Sequence, residues 1–283
     1  MPKLGECFKP VPFLRWAGGK SKLVGKLSEL SPPSGSYRRY IEPFLGSGAL
    51  FFRLLPSEAI LADANKHLIN CFRQVKASPS EVWDYLQVHM KNHSKEYYLS
   101  IRRDALERGN PVERAAAFIY LNKAAFNGIF RVNRSGQFNV PYGPSQSGPA
   151  IPSKERLIAA SAALSQATLL AASFELTCDR ASSGDFVYLD PPYPPIDQTS
   201  YFTHYTANRF SMDDQIQVSK SFRELDRRGC LVMLSNSDQP RIRSLYKGFY
   251  INELKVTRWL GSNGKRYQVD EIVITNFDPN ITR

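Results

Sequence analysis

Only four cysteines, Cys7, Cys71, Cys178 and Cys230, are spread through 283 residues, with no C-x-x-C pair and no histidine at ligand spacing. That scarcity excludes a zinc ribbon and a disulfide framework, so buried free thiols are expected. Histidine is equally sparse, and only His89 and His93 share a helical face. Without a glutamate after the first of them, a solvated helix face is expected there and no metal is called for. Long apolar runs are missing too. A membrane span needs about 20 predominantly apolar residues, and Ile158 to Leu176 is broken by Ser161, Gln166 and Glu175, so it reads as a helix leading into a strand. The opening MPKLGECFKP has no apolar stretch followed by a small-residue cleavage site, so no signal peptide is expected and the cytoplasm is the expected compartment. Acid is the scarcer charge: 26 Asp and Glu face 37 Lys and Arg, for a formal charge of +11. Such an excess favours a polyanionic partner, nucleic acid or an acidic membrane face.

Short apolar runs end at polar or Gly/Pro punctuation at Tyr40–Phe44, Ala59–Asp63, Phe186–Leu189, Leu231–Ser235 and Glu271–Asn276. They predict buried strands. Helical patterns lie between them at Leu68–Lys76, Ser153–Ser165 and Met212–Arg228, the last opened by Ser211 as N-cap with Asp213 and Asp214 in its first turn. Strands alternating with helices predict an α/β core. From about residue 65 the rhythm changes. Ser80–Met90, Lys95–Glu107 and Val112–Ala125 are helical, and the stretch closes in NGIFRVNRSGQFNVPYG, residues 127–143, a hairpin turning at Arg134-Ser135-Gly136-Gln137 with Arg131 and Arg134 at its exposed end. The Pro, Gly and Ser of residues 143–152 form a linker back. The basic excess sits in three segments, 15–39, 91–140 and 241–270, each with five more basic than acidic residues. If the fold brings them together, they make a cleft for phosphates.

The strongest local signal is Asp190-Pro191-Pro192-Tyr193 after the run Phe186–Leu189. Two prolines end the strand and present an acid and an aromatic at its C-terminal end, where open α/β sheets bind ligands. The plainer reading is a Pro-rich turn with a satisfied Asp, but the apolar run before it and the Tyr after it favour a site. The tetrapeptide suits transfer to an exocyclic amine: a carboxylate and the Pro191 carbonyl accepting both amine N–H bonds would localise its lone pair. The Tyr193 ring offers an extruded base a stacking face, worth about 1–3 kcal/mol. A second signal is Glu42-Pro43-Phe44-Leu45-Gly46-Ser47-Gly48, a strand-to-helix turn open to a ligand. The third glycine of a dinucleotide fingerprint is replaced by Phe51, which counts against NAD. Asp63 ends the next strand, placed for a ribose or as N-cap of the following helix. In Phe13–Ser21, Gly19-Lys20-Ser21 imitates a P-loop, but its first glycine is replaced by Leu14, so an ATPase is not predicted. Core packing for Trp16 and a solvated charge for Lys20 are the plain alternatives.

In this order, FLRWAGGK, EPFLGSG, LADAN, FIYLNKAAFNGIFRVNRSGQFNVPYG, DFVYLDPPY and GSNGKR resemble the Dam-type DNA adenine-N6 methyltransferases over most of the chain. The resemblance implies a Rossmann-like α/β methyltransferase core, residues 1–64 and 150–283. Into it is inserted a mainly helical DNA-recognition domain, residues 65–149, ending in the 127–143 β-hairpin. It implies S-adenosylmethionine as methyl donor, with Trp16 and Lys20 at its methionine end. Glu42, Pro43, Phe44, Gly46, Ser47 and Gly48 form the turn beneath it, Asp63 lies on its ribose, and Ser173 and Phe174 lie at its adenine. Asp190, Pro191, Pro192 and Tyr193 match the catalytic tetrapeptide, with Asp190 also at the cofactor. Arg15, Asn127, Ile129, Arg131, Asn133 and Pro141 match residues that read DNA in members acting on GATC. Arg131 suits a bidentate contact with guanine, and Arg134 a phosphate. Asn263, Lys265 and Arg266 fall in a C-terminal loop touching DNA. The expected partner is double-stranded DNA, bound by a monomer without metal. An RNA base amine as acceptor and a DNA-binding module with a degenerate site are the alternatives.

Overall fold

The structure, a computed structural model, describes residues 8–133, 136–143, 148–194, 210–259 and 266–280, and within 256–270 the backbone alone. Its centre is a seven-stranded sheet: β1 (Tyr40–Glu42), β2 (Ala59–Asp63), β3 (Ala167–Ala171), β4 (Phe186–Leu189), β5 (Leu231–Ser237), β6 (Tyr250–Trp259) and β7 (Arg266–Thr275), in the order β3-β2-β1-β4-β5-β7-β6. The first five pair in parallel, and β7 runs antiparallel between β5 and β6. Two strand alternations explain the layering. Tyr40, Leu61, Phe186, Tyr188 and Met233 bury on one face, and Ile41, Ile60, Val187, Leu189, Val232 and Leu234 on the other. A strand buried on both faces reads as the near-continuous apolar run that the sequence displays. Each such side chain contributes about 1.5–3 kcal/mol when fully buried.

Helices cover both faces. On the first lie α1 (Val24–Leu30), α2 (Ala49–Leu54), α3 (Lys66–Ala77), α4 (Pro79–Lys91), α5 (Lys95–Asp104), α6 (Pro111–Ala124) and α7 (Lys154–Leu164); on the second lie α8 (Phe174–Cys178), α9 (Met212–Arg227) and α10 (Pro240–Leu245). All the chain from α3 to α7 belongs to the crossover between β2 and β3, and its buried Phe72, Leu86, Tyr98, Tyr120 and Leu164 share one core with that sheet face. Caps set the ends. Ser211 and Asp214 bond each other's backbone N–H at the start of α9, and Asn110 and Glu113 do the same at α6, beside a proline in its first turn. Each such cap contributes about 1 kcal/mol.

Several expectations need correction. Asp63 does not cap α3: Asn65 does, its Oδ1 accepting from the N–H groups of His67 and Leu68. His89 and His93 do not face solvent. His89 Nδ1 lies 2.9 Å from the Tyr97 hydroxyl, with its ring stacked on Tyr120, and His93 bonds the hydroxyls of Tyr120 and Tyr142 at 2.8 and 3.2 Å. Burial lowers the His89 pKa to about 4, so it is neutral at physiological pH. His89 lies on α4 but His93 falls beyond its Asn92 cap, so the two do not share a helical face, and their aromatic partners come from α5, α6 and the hairpin. The 127–143 segment does reverse direction, yet with isolated bridges, Ala125 to Tyr142 and Val132 to Phe138, in place of continuous strands. Pro141 donates nothing to a ladder, and Asn127 sits at φ 55° in a 3-10 turn, Phe126–Gly128. The long strand β6 and the short helices α1, α8 and α10 gave too brief or too polar a pattern to be called.

Candidate active site

Strand order reverses between β1 and β4: the chain runs outward through β2 and β3, then returns to the other side of β1. At such a switch point neighbouring loops diverge and leave a crevice beyond the strands' C-terminal ends. Glu42 closes β1, Asp63 closes β2 and Asp190 follows β4. Three carboxylates therefore meet in a crevice of a basic protein, and Glu42 feels the other two. Glu42 is 2% exposed and takes a 3.0 Å bond from the Tyr40 hydroxyl. Burial, then Asp190 and Asp63, hold its pKa well above the usual carboxylate range. Asp63 accepts the backbone N–H of Gly46 at 3.1 Å and of Asn65 at 2.9 Å; burial still raises its pKa to about 6.

Lys20 is neither a solvated charge nor remote from the acids. Only 5% exposed, its Nζ lies 2.7 Å from Asp190 Oδ1, donates to the Gly18 carbonyl at 2.9 Å and stands 4.6 Å from the Tyr193 ring centroid. The Tyr193 hydroxyl donates to Glu271 of β7 at 2.8 Å. Pro191 is buried, and Pro192 and Tyr193 are half-buried. Lys20 thus joins the turn before α1 to the tetrapeptide. The turn after β1 lies under Trp16: Gly46 has φ 48°, and a Cβ there would meet Trp16 Cδ1 at 2.8 Å, so only glycine fits. The Trp16 ring stacks on Phe130 at 5.8 Å and Phe118 at 6.4 Å, so it is part of the core as well as the roof of this turn. Pro43, Ser47 and Gly48 are buried in the same turn.

Phe44 stacks on Phe174 at 5.3 Å, and Phe210, which sequence reasoning missed, closes on both at 6.0 and 6.3 Å. Ser173 accepts from the Leu176 N–H as the cap of α8, the role its type predicts. A cationic donor with a ribose and a purine finds its complements here: carboxylates, an aromatic wall and, beside Asp63, an Asn65 Nδ2 that is buried without a hydrogen-bond partner. These residues fit S-adenosylmethionine.

Next to the crevice, Arg15 is exposed and lies against Gly128, whose φ of 63° and 2.7 Å Cβ approach to Arg15 again demand glycine. Asn122, 2% exposed and not foreseen, pins the two segments together: its Oδ1 accepts from Arg15 N at 2.9 Å, and its Nδ2 donates to the carbonyls of Arg15 and Gly128 at 2.7 and 3.3 Å. Asn127 and Pro141 are exposed, and Ile129 is half-buried. Arg131 is half-buried, not at an exposed tip, with Nε and Nη2 on the Asn139 side chain and carbonyl at 2.9 and 3.3 Å. That edge of the fork is engaged, so a guanine contact without rearrangement uses the Nη1–Nη2 edge. Asn133 builds the hairpin turn through Gln137. Arg134, Asn263 and Lys265 lie outside the described residues, and Arg266 begins β7 opposite Trp259 in place of ending a loop. Cys71, Cys178 and Cys230 are free and buried. Among the described residues no group of His, Cys, Asp and Glu could hold a metal, and no helix is long and apolar enough to cross a membrane.

A mostly parallel sheet with an antiparallel β7, acids at its switch point and an Asp-Pro-Pro-Tyr loop define a Rossmann-like methyltransferase. The chain belongs to the D12 class N6 adenine-specific DNA methyltransferases, whose family model matches residues 16–260. It is 42% identical over 273 residues to the type II methyltransferase M1.LlaDCHI of Lactococcus lactis subsp. cremoris, covering 94% of this chain and 95% of that one. It is 36% identical over 277 residues to the DNA adenine methylase of Vibrio cholerae, covering 95% and 97%, and 33% identical over 267 residues to that of Escherichia coli K12, covering 92% and 93%. The protein is an adenine-specific DNA methyltransferase, and enzymes of this family take S-adenosylmethionine as methyl donor.

Proposed function

We propose that this enzyme extrudes an adenine from duplex DNA, within GATC, and methylates its N6 amine in the crevice between β1 and β4. The observation that carries the reading is the Asp190-Pro191-Pro192-Tyr193 loop, held at the switch point by Lys20 and Glu271. Asp190 accepts one N–H of the amine and the Pro191 carbonyl the other, which draws the nitrogen lone pair out of the purine ring. S-adenosylmethionine, when bound, supplies an electrophilic methyl group on a positively charged sulfur. The amine nitrogen gains the methyl and gives up one proton, which the Asp190 carboxylate is placed to receive and pass to water. Lys20 keeps that carboxylate oriented. The Tyr193 ring, with Lys20 Nζ 4.6 Å from its centroid, is the stacking surface for the base. Holding both reactants in line supplies the proximity term, and extrusion costs a few kcal/mol of unstacking.

Residues 65–149 serve as the target-recognition unit of a core made by 1–64 and 150–283. Arg15 and the 126–131 turn, clamped by Asn122, form its reading edge, and the enzyme works as a monomer on cytoplasmic, nucleoid DNA. The test is methyl transfer from labelled S-adenosylmethionine to a GATC duplex, to a duplex lacking GATC and to structured RNA. Label in adenine of the first alone is expected. No label on any duplex sinks the reading, and label on RNA alone replaces the acceptor.

A further inference from the structure

Pro191, Pro192 and Pro194 have no N–H, so from 191 to 194 the catalytic loop offers only the Tyr193 N–H as a backbone donor. A backbone so poor in donors is held chiefly through its carbonyls, and the protein must bring donors to them. Two glutamines do so. Gln215 of α9, fully buried, donates Nε2 to the Pro192 carbonyl at 2.8 Å, and Gln239, ahead of α10, donates Nε2 to the Pro194 carbonyl at 3.2 Å. The Gln215 amide cannot turn over. Its Oε1 accepts from Asn236 Nδ2 at 2.9 Å, and Asn236, also fully buried, is set by its Oδ1 accepting from Ser237 N at 2.8 Å. Neither glutamine carries charge.

We propose that Gln215, seconded by Gln239, is a positioning residue that aims the Pro191 carbonyl at the acceptor amine. This rests on the methyl-transfer reading above. The Pro192 ring locks its own φ, so a single torsion, ψ of Pro192, separates the peptide plane carrying the Pro191 carbonyl from the plane that Gln215 holds. Restraining the second plane therefore restrains the first. Losing the bond leaves affinity for cofactor and duplex in place and loosens the geometry of the transfer step.

The experiment measures single-turnover methyl transfer on a GATC duplex at saturating cofactor, with cofactor and duplex affinities taken separately, for the parent, Q215L, Q215E and Q239A. Q215L is expected to slow transfer about tenfold, the equivalent of one hydrogen bond of about 1.4 kcal/mol, with both affinities within about twofold of the parent. Q239A, at a half-exposed position, is expected to slow it about threefold. In Q215E the acceptor for Asn236 remains but the donor is lost. Its rate relative to the parent should fall at pH 8 and recover toward pH 5.5, as the introduced carboxyl protonates and can donate again. A purely structural role predicts no such recovery. Parental rates in Q215E and Q239A overturn the inference, as does a rate loss matched by lost affinity or independent of pH in Q215E; these two variants decide the matter if Q215L does not fold. A parent inactive on every duplex overturns the methyl-transfer reading itself, and this inference with it.

Discussion

Replacing Asp190 with asparagine separates two jobs that the carboxylate performs. The first is catalytic. Asparagine still offers a carbonyl oxygen to the amine but cannot take its proton, which then leaves directly to water, so the charge on the acceptor is lost and with it the proton carrier. A hydrogen bond to an ionised group contributes about 1.5–3 kcal/mol and a neutral one about 1. The difference, about 0.5–2 kcal/mol, slows transfer roughly 2- to 30-fold, while D190A, with no acceptor, should lose far more and still bind cofactor. The second job is electrostatic. Lys20, 5% exposed and 2.7 Å from Asp190 Oδ1, is left as a buried ammonium without its counter-ion. Breaking a buried pair costs about 3–5 kcal/mol. The lower end applies, because Asp190 is 17% exposed and Lys20 keeps its bond to the Gly18 carbonyl. A loss of about 3 kcal/mol corresponds to roughly 6 °C in Tm for a chain of this size. The assay pairs calorimetric melting with single-turnover transfer. K20M combined with D190N removes both charges and should regain much of the lost Tm while staying slow. A parental rate in D190N refutes the role given to the charge, and an unchanged Tm refutes the buried pair.

Asp63 ionises with a pKa raised to about 6. A ribose donating to it prefers the ionised form, so cofactor affinity should fall about tenfold per pH unit below 6 and proton release should accompany binding there; calorimetry in two buffers checks both. F174A removes the wall stacked on Phe44 and should weaken the cofactor by about 1–3 kcal/mol, or 5- to 150-fold in Kd, with transfer at saturation little changed. R131K keeps the charge but not the fork. Methylation of duplexes altered one base at a time should show discrimination relaxed by about 1–3 kcal/mol at one guanine, with overall affinity held. N122A strands the Arg15 N–H and the Arg15 and Gly128 carbonyls, so Tm should fall and GATC preference weaken together; a change in neither refutes the clamp.

Sequence periodicity and punctuation were enough to identify β1, β2, β4 and β5, because a strand buried on both faces must be apolar throughout, and β2 and β4 match their predicted limits residue for residue; the partly exposed edge strand β3 gave no such run. Short motifs were enough for the crevice acids and the glycine turn, because backbone chemistry there tolerates few residue types. What could not be read was pairing between distant segments. The resemblance puts Lys20 at the cofactor, but its ion pair with Asp190 exists only where the turn before α1 meets the loop after β4, 170 residues away. Gln215, Gln239, Asn236, Glu271 and Asn122 carry no signal beyond being polar residues near apolar ones, although Ser235-Asn236-Ser237 ending an apolar strand was a hint. His89 and Arg131 were misplaced for the same reason: their partners lie on other elements. Local sequence decided which groups end each strand. Only the order of the strands, with its reversal between β1 and β4, decided that those ends open on one crevice, since a switch point arises from how strands are arranged and exists in no single segment.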